Sequence, residues 1–137
     1  MKKRILFVLS VLLLFSAGAP VYAKQPKLIE VFDVEKGAVI KKIGVSEDVL
    51  VQAKQILAHL SFHGRFKLSF HKGVMVKIPI QAHVKNKWFD GDILEMIVIL
   101  EPKQSPLVLL FNAQDQPVLF TTAYNAAALT KTIGLNE

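Results

Sequence analysis

Cysteine is absent from the 137 residues. That excludes disulfides, thiolate zinc sites, cysteine nucleophiles, thiol redox chemistry and a lipid-modified cysteine anchor. Arginine is nearly absent: Arg65 is the only one after Arg4, which argues against a bidentate phosphate or carboxylate clamp. The chain has no glycine-rich phosphate loop and no Gly-x-Ser-x-Gly element. Its serines have other readings: Ser46 as a helix cap, Ser61 at a helix end, Ser69 within a strand and Ser105 in a proline loop. Nucleophilic catalysis therefore has little material, and the chain reads as non-enzymatic and without a cofactor. Internal repeats are absent too.

Hydrophobic residues make up 52% and charged residues 20% of the chain, a balance that folds around a core. The first residues read as a secretory signal. Met1-Lys2-Lys3-Arg4 is a positive start, Ile5 to Phe15 is apolar apart from Ser10, and Val21-Tyr22-Ala23 supplies a cleavage site. Cleavage is expected after Ala23, with retention as an N-terminal anchor the alternative. Gly18 and Pro20 interrupt the apolar run before it reaches the roughly 20 residues that span a bilayer. Further on, Asp92 and Glu101 bracket the longest apolar stretch and Glu95 interrupts it, so no transmembrane domain is expected in the mature chain. The expected organisation is a signal at 1–23 and one domain at 24–137, acting as a secreted or extracytoplasmic protein. Three of the 17 basic residues fall in the signal, so against 11 acidic residues the mature net charge is +3, too small for a nucleic-acid partner.

Residues 28–34 and 38–43 read as strands joined by Glu35-Lys36-Gly37. Ser46 reads as an N-cap with Glu47 and Asp48 in the first turn. Val49, Leu50, Ala53, Ile56, Leu57 and Leu60 form the apolar stripe of a helix that Gly64 would end. Phe66, Leu68 and Phe70 alternate with polar residues, and a His71-Lys72-Gly73 loop would set Phe70, Leu68 and Phe66 against Val74, Val76 and Ile78 in a second hairpin. Pro79 marks an edge position or a bulge in the long strand that follows. A Phe89-Asp90-Gly91 loop would put Trp88 opposite Asp92, Val84 opposite Met96 and Lys85 opposite Glu95. Residues 92–101 read as a central strand covered on both sides. Strands at 107–111 and 117–122 and a short helix from about Asn125 to Ile133 complete the chain.

The order β-β-α-β-β-β-β-β-α gives an α+β domain, an antiparallel meander sheet packed on one main amphipathic helix, with a short C-terminal helix. A helix followed by an antiparallel meander resembles the arrangement of cystatin-like folds. The Gln-x-Val-x-Gly hairpin of the cysteine-protease inhibitors has no counterpart here. Nor has their Pro-Trp loop, since Lys87 precedes Trp88, so protease inhibition is not implied. The whole chain resembles the small uncharacterised exported proteins of Gram-positive bacteria, a likeness that brings no function-bearing motif with it.

Two constellations carry chemistry. Lys77, Gln81, His83, Lys85 and Lys87 share parity along the long strand, and the expected hairpin places Lys67 opposite Lys77. Like charges face to face are relieved by an anion between them. This basic strand face, with Phe89 as an exposed loop aromatic and Trp88 in the core, points to an interaction domain. Its partner would be an anionic envelope polymer or another exported protein. Ile93, Ile97 and Ile99 add apolar surface beside it, unless the C-terminal helix covers them with Ala126, Leu129 and Ile133. The alternative is a metal-binding protein or metal-assisted hydrolase. His59 and His63 have the i, i+4 spacing of two ligands on one helical face, His83 would have to converge with them, and Asp90 and Asp92 flank a turn as paired carboxylates. A third reading is a homodimer through an unpaired sheet edge near Pro79.

Overall fold

The computed structural model describes residues 27–64 and 71–135. In chain order these form β1 (Leu28–Asp33), β2 (Ala38–Gly44), α1 (Glu47–Ala58), β3 (Leu60–Gly64), β4 (Val74–Lys85), β5 (Asp90–Leu100), β6 (Leu107–Phe111), β7 (Pro117–Thr122) and α2 (Ala127–Thr132). The fold is α+β: one seven-stranded antiparallel sheet in the order β2-β1-β4-β5-β6-β7-β3, with one main helix and one short C-terminal helix. No helix among the described residues is long and apolar enough to cross a membrane.

The first hairpin forms where the sequence places it. Gly37 adopts φ +63 at the turn, a conformation glycine enters without steric cost, and its N–H donates to the Asp33 carbonyl at 2.9 Å. Val31 pairs with Lys41 and Phe32 with Val39, leaving Ile40 as an extra residue in a bulge. At the start of α1, Ser46 Oγ accepts from the Val49 N–H at 3.3 Å, with Glu47 and Asp48 in the first turn. Val49, Ala53 and Ile56 are buried, and Leu50 and Leu57 pack beside them.

The helix does not run to Gly64. It stops at Ala58, and Leu60–Gly64 becomes an edge strand, Leu60 pairing with Thr122 and Phe62 with Phe120. The Thr122 hydroxyl donates to the Ile56 carbonyl at 3.2 Å and the Ala123 N–H to the His59 carbonyl at 3.0 Å. The strand edge of β7 thus takes carbonyls that another helical turn would have used.

The second hairpin is also corrected. Residues 65–70, with Lys67, lie outside the described residues, but both edges of Val74–Lys77 are occupied. Val76 lies between Val31 of β1 and Val98 of β5, and Val74 between Asp33 and Leu100. Neither position has an edge left for Leu68 or Phe70. The structure pairs β4 with a strand more than 40 residues earlier in the chain, a partner that local alternation does not reveal.

Between β4 and β5 the turn is longer than a Phe89-Asp90-Gly91 loop. Lys85 pairs with Asp90, Val84 with Gly91 and His83 with Asp92, which leaves Asn86 to Phe89 as the connection. Ile80 and Gln81 together oppose only Leu94, a bulge directly after Pro79 that bends the hairpin. It also shifts the parity of β5. Ile93 packs in the cluster beneath the helices, whereas Ile97 and Ile99 point to the other side of the sheet.

Two apolar clusters result. The first joins α1 and α2 to one sheet face through Val49, Ala53, Ile56, Leu129 and Ile133, with Ile78, Met96, Leu110 and Phe120 beneath them. On the opposite face, the second contains Phe32, Val34, Met75, Ile97, Ile99, Leu109 and Leu119, with Leu107 and Phe111 packed against it. The C-terminal helix does not cover Ile97 and Ile99, because Leu129 and Ile133 lie in the first cluster. Strand β5 is central, and Met96 to Ile99 are buried on both of its faces, whereas Leu94 nearer its start is exposed.

Candidate binding surface at the β4–β5 hairpin end

Asn86 organises the hairpin end. Its side-chain oxygen accepts from the N–H groups of Trp88 at 2.8 Å and Phe89 at 2.9 Å, and its own N–H donates to the Phe89 carbonyl at 2.7 Å. An asparagine that hydrogen-bonds the backbone two residues on is a local turn former. This turn reverses the expected roles of the two aromatics. Phe89 is buried at 4% exposure and meets Phe120 edge-to-face at 6.3 Å, whereas Trp88 is 46% exposed.

Trp88 stacks on Phe62 of β3, with ring centroids 5.5 Å apart and planes inclined by 12°, and Phe62 is itself 44% exposed. In the sheet β3 lies four places from β4. The contact therefore requires the sheet to roll so that the bent hairpin end reaches across to the far edge. Phe120 fixes this closure from beneath, touching Phe62 at 6.4 Å as well as Phe89. Lys87 Nζ lies 5.9 Å from the Trp88 ring centroid, within cation–π range. The hairpin end thus presents a rigid aromatic pair with a cation beside it.

The remainder of the expected basic face is largely neutralised. Lys77 does not face a lysine. Its register neighbours are Glu30 and Ile97, and its ammonium lies 3.6 Å from Glu30 and 3.7 Å from Glu95, with the side chain only 15% exposed. Lys85 is opposite Asp90 rather than Glu95. Gln81, Lys85 and Lys87 are exposed.

His83 sits between two carboxylates, with Nδ1 2.8 Å from Asp92 Oδ1 and Nε2 3.0 Å from Asp90 Oδ1. Only the imidazolium donates from both ring nitrogens. The hydrogen bond to Asp92 raises the His83 pKa above its usual value. Partial desolvation opposes this, and the charges of Asp92 and Asp90 add to it.

The metal constellation is not assembled. His59 occupies the helix C-cap, its Nδ1 2.7 Å from the Gln55 carbonyl, while His63 belongs to β3, so the two do not share a helical face. Asp90 and Asp92 approach different nitrogens of His83. Among the described residues no group of three or more histidine or carboxylate side chains is disposed to hold a metal ion.

Sequence reasoning missed Phe62 altogether and assigned Trp88 to the core. The available signal was Asn86, a turn-forming residue two positions before the single tryptophan. With this geometry in view, the chain was compared with family models, curated proteins and solved structures. It matches none of them.

Proposed function

We propose that this chain is an exported, non-enzymatic binding domain that holds an anionic polymer of the cell envelope at the β4–β5 hairpin end. The observation that carries this reading is the half-exposed Trp88–Phe62 stack with Lys87 beside it. Large aromatics left in water on a rigid support favour an apolar ring face, such as that of a sugar. Lys85 and Lys87 supply charge for an acidic group on the same polymer. Export rests on the positive start, short apolar run and Val21-Tyr22-Ala23 site. It predicts that the protein recovered outside the cytoplasm begins at Lys24.

Trp88 is the only tryptophan, so its fluorescence reports the site directly. Titration with purified anionic wall polymer should shift the emission at low salt, and the apparent affinity should fall as salt rises. Trp88→Ala in a pull-down, and Lys87→Glu in either assay, should lower binding about tenfold, the equivalent of roughly 1.4 kcal/mol. Unchanged emission across the titration, or equal retention of Lys87→Glu, would sink the reading.

A further inference from the structure

Asp90 stands directly across the hairpin from Lys85, and Asp92 directly across from His83. Opposite charges at facing positions of an antiparallel pair ordinarily hold each other. The Asp90 carboxylate does otherwise. Its Oδ1 lies 3.0 Å from His83 Nε2, on the diagonal, while Asp92 Oδ1 lies 2.8 Å from Nδ1 of the same ring. Lys85 is exposed and has no carboxylate at ion-pair distance among the described residues. The ring of His83 thus holds both aspartates and takes from Lys85 its cross-strand counter-ion.

This arrangement lasts only while the ring is charged. An imidazolium donates from both nitrogens, whereas a neutral ring has one N–H and its other nitrogen is an acceptor that repels a carboxylate oxygen. One aspartate must then leave. The shorter contact is to Asp92, so Asp90 is the one released, and the cation that faces it in the register is Lys85.

Among the described residues no other element brings a charge to the ring. The next residue, Val84, is buried in the cluster beneath α1. Since strand side chains alternate, His83 points away from α1 with its Glu47, Asp48 and Lys54. Strand β1 borders β4 only at Val74–Lys77, where Glu30 is engaged by Lys77. Two residues to either side on β4 stand Gln81, which is uncharged, and Lys85, and Lys87 follows in the turn.

We infer that His83 is a proton-operated switch on the polymer site. Charged, it keeps Asp90 off Lys85 and leaves that lysine to an acidic group of the ligand. Neutral, it returns Asp90 to Lys85 and weakens binding. The inference rests on the polymer-binding reading of the hairpin end and adds its regulation. The hydrogen bond to Asp92 raises the His83 pKa, so the change falls on the alkaline side of the ordinary value near 6.5. Linkage is reciprocal, so a polymer that occupies Lys85 must also tighten the hold of the ring on its proton.

The test is the Trp88 fluorescence titration with purified anionic wall polymer at low salt, run at about pH 5.5 and about pH 9, on either side of the histidine range and below that of lysine. The parent chain should bind about threefold more tightly at the acid pH, the scale of one exposed charge pair. His83→Gln should bind at both pH values as weakly as the parent does at the alkaline one, because nothing draws Asp90 off Lys85. Asp90→Asn should do the opposite and keep tight binding at the alkaline pH. The other three histidines remain in every variant, so a pH effect of theirs would persist in His83→Gln. That persistence, equal affinities of the parent at the two pH values, or an Asp90→Asn that weakens as the parent does would each overturn the switch. Lys87→Glu separates the two readings. A pH-independent parent whose binding is lost in Lys87→Glu would leave the polymer site standing without its switch, and a parent that binds at neither pH would remove both.

Discussion

His83 shows how two strand positions acquire a joint property. It is cross-strand from Asp92, and Asp90 closes the hairpin two pairs further on, opposite Lys85. With both ring nitrogens facing carboxylates, the folded state favours the imidazolium, so the pKa in the fold is higher than in the unfolded chain. A raised histidine pKa contributes stability that is fully present below the unfolded value near 6.5 and is lost as pH rises through the folded value. The site is exposed, so solvent keeps the contribution small. Urea midpoints of the parent chain and His83→Gln should therefore differ most on the acid side of that window and converge above it. Parallel midpoints across the window would show that the two carboxylates do not act on the ring.

At the scale of elements, β2 is the exposed edge of the sheet, with Val39 and Ile40 at 36% and 44% exposure. An apolar edge invites pairing with another chain, and the Ile40 bulge together with Lys41 and Lys42 is the usual protection. Lys41→Thr/Lys42→Thr should raise the concentration-dependent mass in sedimentation relative to the parent chain, and an unchanged mass would mean that the bulge alone suffices. Elements with purely local signals were legible in the sequence: the Ser46 cap, the α1 stripe, the Gly37 turn and the bulge beside Pro79. Those decided by distant partners were not. Leu60 fits the helical stripe and an edge strand equally well, and only pairing with Thr122 chooses between them. The Phe66–Phe70 alternation suggested a hairpin because the claim of β1 on Val74–Lys77 is invisible locally. At the candidate site Lys85, Lys87 and the aromatic loop were found. The exposures of Trp88 and Phe89 were exchanged, because one turn residue, Asn86, changes which aromatic points inward.

For the whole molecule, Phe120 ties the edge strand β3 to the β4–β5 hairpin end, touching Phe62 and Phe89 while fully buried itself. Phe120→Ala should cost about 3–5 kcal/mol and loosen the Trp88–Phe62 stack, so a lower urea midpoint should come with red-shifted emission from Trp88 in the native state. A lower midpoint with unshifted emission would mean that the aromatic pair holds without its anchor. The β3–β7 pairing has a further consequence. It joins Leu60 to Thr122, so the order in which the ribosome delivers strands is not the order in which the sheet needs them. A nascent chain that has not reached Thr122 holds α1 and β3 without the strand that fixes the helix end. The sheet thus cannot close before β7 has been made, and pairing between strands so far apart in the chain makes that closure a late and slow step.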